Sequence, residues 1–265
     1  MSELIIVRGG GDLASGVIQK FHRSGFKVLV LETEKPSFIR RSVCYGEAIY
    51  EKEVILEGSK AILAHNINEI NKILDIGNIA VIADPHGYTI KKLKPIAVVD
   101  AILAKKNLGT NINMAPITIG IGPGFSAGRD VSVVVETMRG HDLGRLIFSG
   151  EAKKNTGIPG VIKGYGRERV IYSEVDGIIK NIKDIGDLVE KGEIIALIGD
   201  TKVMSPLTGV LRGLLRNGYQ VSKGFKIGDV DPRKDQQQNC HTISDKARNI
   251  GGSALEAVLY LRKQI

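Results

Sequence analysis

Two stretches of the chain carry residue types whose spacing could bind a ligand. Gly9, Gly10, Gly11, Asp12, Leu13 and Ala14 fit the G-x-G-x-x-G/A pattern. There, glycines permit a sharp turn and let backbone amides approach a pyrophosphate at a helix start. Glu32 follows Gly11 by 21 positions, where an acid accepts the ribose hydroxyls of a dinucleotide such as NAD. Asp12 works against an anion at this turn unless its carboxylate is protonated or caps the helix. The alternative is a tight turn that holds nothing. A second glycine-rich stretch, Gly122 to Asp130, contains Gly122, Gly124 and Gly128, with Arg129 supplying charge for an anion nest. Arg40 and Arg41 stand side by side in an expected loop. Such a pair either clamps a phosphate or carboxylate bidentately or simply faces water.

Proton chemistry has its own candidates. Glu136, Arg139, His141, Asp142 and Arg145 place five ionisable side chains within ten residues. Histidine shuttles protons near neutral pH, and the adjacent acid can tune it, so His141 and Asp142 are the catalytic candidates. If they lie on a strand, however, neighbours face opposite ways. Asp84-Pro85-His86-Gly87 follows an apolar run, where open α/β sheets place ligands or where a solvated turn would sit equally well. Cys44 and Cys240 are the only cysteines. Neither they nor Cys240-His241 make a metal-ligand set of known spacing, so no metal site is expected.

These groups need a frame. Leu4–Val7 reads as a strand, residues 13–21 as a helix with Leu13, Val17, Ile18 and Phe21 on one face, and Phe26–Leu31 as the next strand. This is a βαβ unit with a parallel pair and a right-handed crossover. A helix is expected over Ile67–Leu74, and further strands over Ile79–Ala83, Ala97–Leu103, Ala115–Ile121 and Val131–Val135. The turn-rich Asn155–Gly160 marks a boundary.

An internal repeat follows. An offset of 32 residues maps Ser173 onto Ser205, Gly177 onto Gly209, Gly186 onto Gly218, Val189 onto Val221, Lys191 onto Lys223, Gly192 onto Gly224 and Ile195 onto Ile227. Two half-units that each expose an apolar face would pair into a small β-sandwich. The pattern resembles the biotinyl/lipoyl hammerhead domain, a barrel-sandwich in which a hairpin lysine carries a swinging arm. Lys202 lies near that place without the usual flanking residues, which favours an unmodified scaffold over a carrier. Asp229, Asp231 and Arg233 alternate near the end of this part and are expected to form a surface ion pair. In the tail, Ser244 is a good N-cap, Gly251-Gly252 should interrupt the helix, and Ser253 with Glu256 forms a capping box that would restart it. The expected architecture is α/β: a Rossmann-like parallel-sheet domain (1–160), a barrel-sandwich β domain (161–234), and a terminal helical segment (235–265) packed on the first.

With 265 residues and 43% hydrophobic content, the chain can bury a proper core. It has no apolar run long enough to span a membrane; secretion is not expected from the residues that open the sequence, and the pair of cysteines suits a reducing cytoplasm. The net charge is 37 − 29 = +8, but the basic residues are scattered and Trp is absent, which argues against nucleic acid as partner.

Arg8 to Ala14, Phe38 to Val43, Gly122 to Phe125, Glu136 to His141, Asn155 to Gly160 and Lys226 to Arg233 occur in that order. Together they resemble the YqeB-type accessory family of the selenium-dependent molybdenum hydroxylase system, over nearly the whole chain. The resemblance implies an accessory or maturation role for a molybdenum hydroxylase. The hydroxylase or its maturation factors would be partners, and the ligand would be a nucleotide or the phosphate-bearing molybdopterin. It transfers no catalytic residue. A small NAD-dependent oxidoreductase, or a carrier modified at Lys202, are the rival readings, and a homo-oligomer is compatible with each.

Overall fold

The computed structural model describes residues 3–157 and 160–264. Ile158 and Pro159, within the expected boundary turn, lie outside the described residues. The chain divides into two compact units. The first holds Met1–Pro36, Cys44–Thr156 and Ile243–Ile265, and the second holds Ser37–Val43 and Gly157–Thr242. Two segments expected elsewhere thus belong to the second unit: the loop with Arg40 and Arg41, and residues 235–242.

The first unit is a mixed α/β structure. Its elements in chain order are β1 (Leu4–Arg8), α1 (Asp12–Arg23), β2 (Lys27–Glu32), α2 (Ala48–Glu51), β3 (Glu53–Leu56), β4 (Ser59–Leu63), α3 (Ile67–Asp75), β5 (Ile79–Ala83), α4 (Tyr88–Leu93), β6 (Ala97–Asp100), β7 (Ile117–Ile121), β8 (Ser126–Ala127), β9 (Val133–Val135), β10 (Leu146–Ile147), β11 (Gly150–Glu151) and, after the second unit, α5 (Asp245–Leu261). Nine strands form one sheet in the order β10-β9-β7-β6-β1-β2-β5-β4-β3. The run from β9 to β4 is parallel; β3 and β10 close the edges antiparallel. The near-continuous apolar runs of β1, β2, β5, β6 and β7 suit strands covered on both faces. Ile70, Ile73 and Leu74 of α3 and Ile90 of α4 pack on Ile6, Leu29 and Val98 of the sheet. Helices α1 and α5 pack on each other and along β1, β2, β7 and β9.

Three local expectations are revised. No strand was expected between Leu31 and Ile67, yet β3 and β4 form a hairpin there; its turn residues Glu57 and Gly58 both have positive φ (46° and 82°), as a two-residue primed turn requires. Strand β5 pairs with β2 and lies between β2 and β4, so the order departs from the simple outward progression of a Rossmann half. Helix α5 runs unbroken through Gly251-Gly252, and the Ser253 hydroxyl bonds back to the Asn249 carbonyl at 3.1 Å instead of capping a new helix. The cause is tertiary: a Cβ on Gly251 would lie 2.3 Å from the Gly16 carbonyl oxygen of α1, so this glycine marks a close helix crossing.

The second unit contains β12 (Val170–Tyr172), β13 (Gly177–Asn181), β14 (Leu188–Val189), β15 (Ile194–Ile198), β16 (Thr201–Met204), β17 (Gly209–Leu214), β18 (Gln220–Val221) and β19 (Lys226–Asp231). They form two antiparallel sheets, β12-β19-β17-β14 and β16-β15-β13-β18. The 32-residue offset maps one sheet onto the other. It also recurs in the hydrogen bonds that cross between the halves. Gly192 N donates to Ser205 O (2.8 Å) as Gly224 N donates to Ser173 O (2.7 Å), and Gly186 N to Leu211 O (2.9 Å) as Gly218 N to Ile179 O (2.8 Å). Each half completes its partner's sheet. Both sheets contribute to one core around Ile179, Ile195, Leu211, Leu214 and Ile227. Lys202 is exposed on β16, just past a tight Gly199-Asp200 turn. Asp231 is not on the surface as expected: it is 1% exposed, held by Arg233 (Nε to Oδ1, 2.9 Å; Nη2 to Oδ2, 2.7 Å), with Arg212 at 3.6 Å.

Candidate functional site

The parallel strands of the first unit end in a row of ionisable groups: Arg8 on β1, Glu32 on β2, Asp84 just past β5, Asp100 on β6 and Glu136 just past β9. Successive crossovers leave β1 toward β2 on one side and resume at β6 on the other. The β1–β6 junction is therefore the topological switch point, where open α/β sheets bind ligands outside the carboxyl ends.

Arg8 and Asp100 sit opposite each other in the register of that junction and are 3% and 1% exposed. Arg8 Nη1 lies 3.5 Å from Asp100 Oδ2 and also donates to the Thr110 hydroxyl. Its Nη2 donates to the carbonyls of Pro85 (3.1 Å) and Leu108 (3.4 Å). Asp100 accepts from the Thr110 hydroxyl (2.5 Å) and the Ile102 amide (3.2 Å). Burial pushes the Asp100 carboxyl up, against the lowering effects of Thr110 and Arg8. This cluster pins the loop after β6, where Leu103 and Lys105 adopt left-handed backbone (φ 61° and 63°). Arg8 opens one of the ordered motifs without being given a role there, and Asp100 was not singled out. The readable signal was a charge closing each of two buried apolar strands, LIIVR and AVVD.

The first glycine corner is closed by its own chain. Gly9 N donates to Leu31 O (2.8 Å) and Gly46 N to Gly10 O (2.9 Å). A Cβ on Gly9 would press on the backbone of Ala101 and Ile102 at 3.0 Å, and one on Gly10 would meet Gly46 Cα at 2.6 Å. The Gly10 amide donates to Glu32 Oε2 (2.8 Å), and Thr33 N to Glu32 Oε1 (2.8 Å). Gly9 and Gly10 thus owe their identity to close backbone contact and do not aim amides at a phosphate. Gly11 is the N-cap residue of α1, and Asp12 and Ala14 fall in its first turn, Asp12 placed where a carboxylate favours the helix dipole. What the corner offers a ligand is Glu32 itself. A carboxylate has about four acceptor sites; each oxygen here has taken one amide, and the Thr33 side chain takes a further site. Burial pushes the Glu32 carboxyl up; the bonds from Thr33 and Gly10 only partly offset this. Since its folded pKa exceeds the unfolded value of about 4.3, this group's contribution to stability is complete below that pH and falls as pH rises through the folded pKa. Glu32→Gln should flatten that fall, measured as urea midpoints between pH 4.5 and 7.

In the second glycine stretch Gly122 and Gly124 are closed in the same way, while a Cβ on Gly128 would meet nothing within 4 Å. A Cβ on Gly122 would lie 2.7 Å from the Thr137 hydroxyl, and one on Gly124 would lie 2.8 Å from Lys106 Cα. Arg129 is exposed and paired with both oxygens of Asp130 at 3.1 Å. The ionisable cluster is dispersed. Glu136 is 2% exposed, and its carboxylate is clamped by the amides of Thr137 (2.7 Å), Met138 (2.7 Å) and Lys153 (2.8 Å). His141 is exposed on a turn, while Asp142 pairs with Lys153 (2.6 Å) and Arg145 (3.1 Å). Arg139 pairs with Asp245 at the start of α5. Lys246, missed in the sequence, is drawn into the field of Arg139, Asp12 and Glu136, and burial depresses its pKa. Arg40 and Arg41 sit in the second unit, apart from the glycine corner's unit. Arg40 donates to the Asn239 (3.2 Å) and Thr242 (3.5 Å) carbonyls, and Arg41 to Asp184 and the Leu214 carbonyl (3.3 Å). Among the described residues no group of three or more His, Cys, Asp or Glu side chains could hold a metal ion, and no helix is long and apolar enough to cross a membrane.

No family model matches the chain. It is 48% identical over 262 residues to the uncharacterized protein YqeB of Escherichia coli (strain K12), covering 99% of this chain. It spans about half (48%) of that relative's length. Among solved structures, the product-bound ectoine utilization protein EutE (DoeB) of Ruegeria pomeroyi aligns over 80% of this chain and 61% of its own, with 11% identity and a TM-score of 0.25. A succinylglutamate desuccinylase from Silicibacter sp. aligns over 86% and 84%, with 10% identity and a TM-score of 0.26. An aspartoacylase family protein from Mesorhizobium loti aligns over 88% and 85%, with 9% identity and a TM-score of 0.29.

Proposed function

We propose that this chain, 48% identical over 262 residues to YqeB of Escherichia coli, is an accessory protein in molybdenum hydroxylase maturation, binding a nucleotide or phosphate-bearing pterin at the carboxyl edge of its parallel sheet. One observation carries this reading: the Glu32 carboxylate reaches from the end of β2 to the Gly10 amide (2.8 Å) beside the switch point. There its remaining acceptor site can receive a hydroxyl of a ribose or of a pterin side chain. The phosphate would lie toward the first turn of α1, since the amides of Gly9 and Gly10 are already engaged. The acidic Asp12 in that turn favours a ligand of low charge.

On this reading the second unit, two antiparallel sheets over one core, is a barrel-sandwich that serves as an unmodified docking module for the hydroxylase or its maturation factors. Two buried cysteines, with no disulfide among the described residues, suit a cytoplasmic setting.

Binding is tested with the purified chain and NAD, AMP and a pterin monophosphate by titration calorimetry. Wild-type protein should bind at least one of them. Glu32→Gln should weaken that ligand about 10- to 100-fold, the range for losing hydrogen bonds to a charged acceptor. Unchanged affinity in the variant removes the site from this corner.

A further inference from the structure

We propose that His86 and Tyr88 form the platform on which the ligand's flat ring stacks, a nucleotide base or a pterin; this rests on the reading of Glu32 as the hydroxyl acceptor. The two subsites are neighbours because of the strand order. Strand β5 pairs directly with β2, with Ala83 opposite Glu32. The Asp84 amide then donates to the Glu32 carbonyl at 2.9 Å, so the turn over residues 84–87 stands at Glu32's side.

That turn is held rigidly. Asp84, 6% exposed, accepts from the Tyr88 amide (3.0 Å), the Thr89 amide (2.8 Å) and the Thr89 hydroxyl (2.8 Å). The Pro85 carbonyl is tied to Arg8 (3.1 Å). Gly87 supplies the left-handed backbone (φ 75°) that starts α4. From this fixed base the His86 and Tyr88 side chains project into solvent, their ring centroids 5.5 Å apart and tilted by 50°. Tyr88 is 70% exposed. Among the described residues neither ring makes a hydrogen bond, and neither is needed to fill the core. A large aromatic surface held in place but left in water is the form of a recognition surface, and every base or pterin has a π-face to offer it. A ring seated there would leave its ribose or side-chain hydroxyls on the side of Glu32.

The test uses the full chain with 1,N6-etheno-AMP and with a fluorescent pterin monophosphate as probes, and ribose 5-phosphate as the ringless control. The chain has no Trp, so protein emission interferes little. Stacking should quench the probe, and the more tightly bound of the two identifies the ring. His86→Ala/Tyr88→Ala should abolish quenching and weaken that probe about tenfold or more, as loss of base–aromatic stacking does. It should leave ribose 5-phosphate within about twofold. Tyr88→Phe should restore both quenching and affinity. If the double variant binds and quenches like wild type while Glu32→Gln loses binding, the ring lies elsewhere and only the platform is refuted. If neither probe binds wild-type protein, the platform and the reading beneath it fall together.

Discussion

Replacing Arg8 by alanine is expected to lower the unfolding free energy by about 3–5 kcal/mol, the cost of removing one partner from a buried ion pair. Asp100 is 1% exposed, and its carboxylate would keep the Thr110 hydroxyl and Ile102 amide but lose its only cationic neighbour in the cluster. The carbonyls of Pro85 and Leu108 would lose their donor as well. The sign of the pH dependence follows. Burial already raises the Asp100 carboxyl, and deleting Arg8 removes an effect that lowers it, so its folded pKa rises further. The native state of the variant then binds a proton that the unfolded chain has released, and stability falls as pH rises through that window. The deficit against wild type should therefore shrink toward pH 4–5 and be largest at neutral pH. Urea unfolding at several pH values measures it. A deficit under about 1 kcal/mol, or one independent of pH, would show that the pair does not hold the switch point.

The second large effect concerns two adjacent glycines with opposite expected signs. Gly251→Ala places a Cβ 2.3 Å from the Gly16 carbonyl oxygen, and Gly16→Ala places one 2.1 Å from the Ala247 carbonyl oxygen. Both contacts are with backbone, so no side chain can move aside and the helices must separate. Each substitution should destabilise the first unit by about 1–3 kcal/mol or more. It should also expose the segment beyond Ile243 to proteolysis, because α5 is held there by its packing on α1. A Cβ on Gly252 meets nothing within 4 Å. Gly252→Ala should stabilise by about 0.5–1 kcal/mol, through the lower backbone entropy of alanine in the unfolded chain. Thermal midpoints of the three variants give the answer, and a loss of stability in Gly252→Ala would contradict this account of the helix.

Much of the candidate site was legible in part. Spacing alone placed Glu32 where it lies, because a βαβ unit of fixed rise brings the end of β2 beside the glycine turn of β1. The same spacing could not say that the Gly10 amide would donate to that carboxylate. Nor could it show that Gly46 and Ala101–Ile102 would occupy the space that a pyrophosphate needs. The partners come from segments 36 and 91 residues beyond Gly10. His141 and Asp142 looked promising because ionisable residues cluster in sequence there. The fold pairs Asp142 with Lys153 and Arg145, buries Glu136 and leaves His141 exposed on a turn.

By itself the sequence determined whatever depends on local period and repeat: the βαβ start, the apolar strands, the N-cap of α5, and the duplicated half-units of the second unit. Hydrophobic alternation and turn chemistry act over a few residues, and a 32-residue duplication is visible by comparison. Only the tertiary structure decided that β5 inserts beside β2, that the chain enters the second unit briefly at Ser37–Val43, that Arg8 meets Asp100, and that Gly251 continues a helix it should weaken. Each is a contact between segments far apart along the chain. Its energy depends on close approach and exclusion of water, which no local pattern encodes.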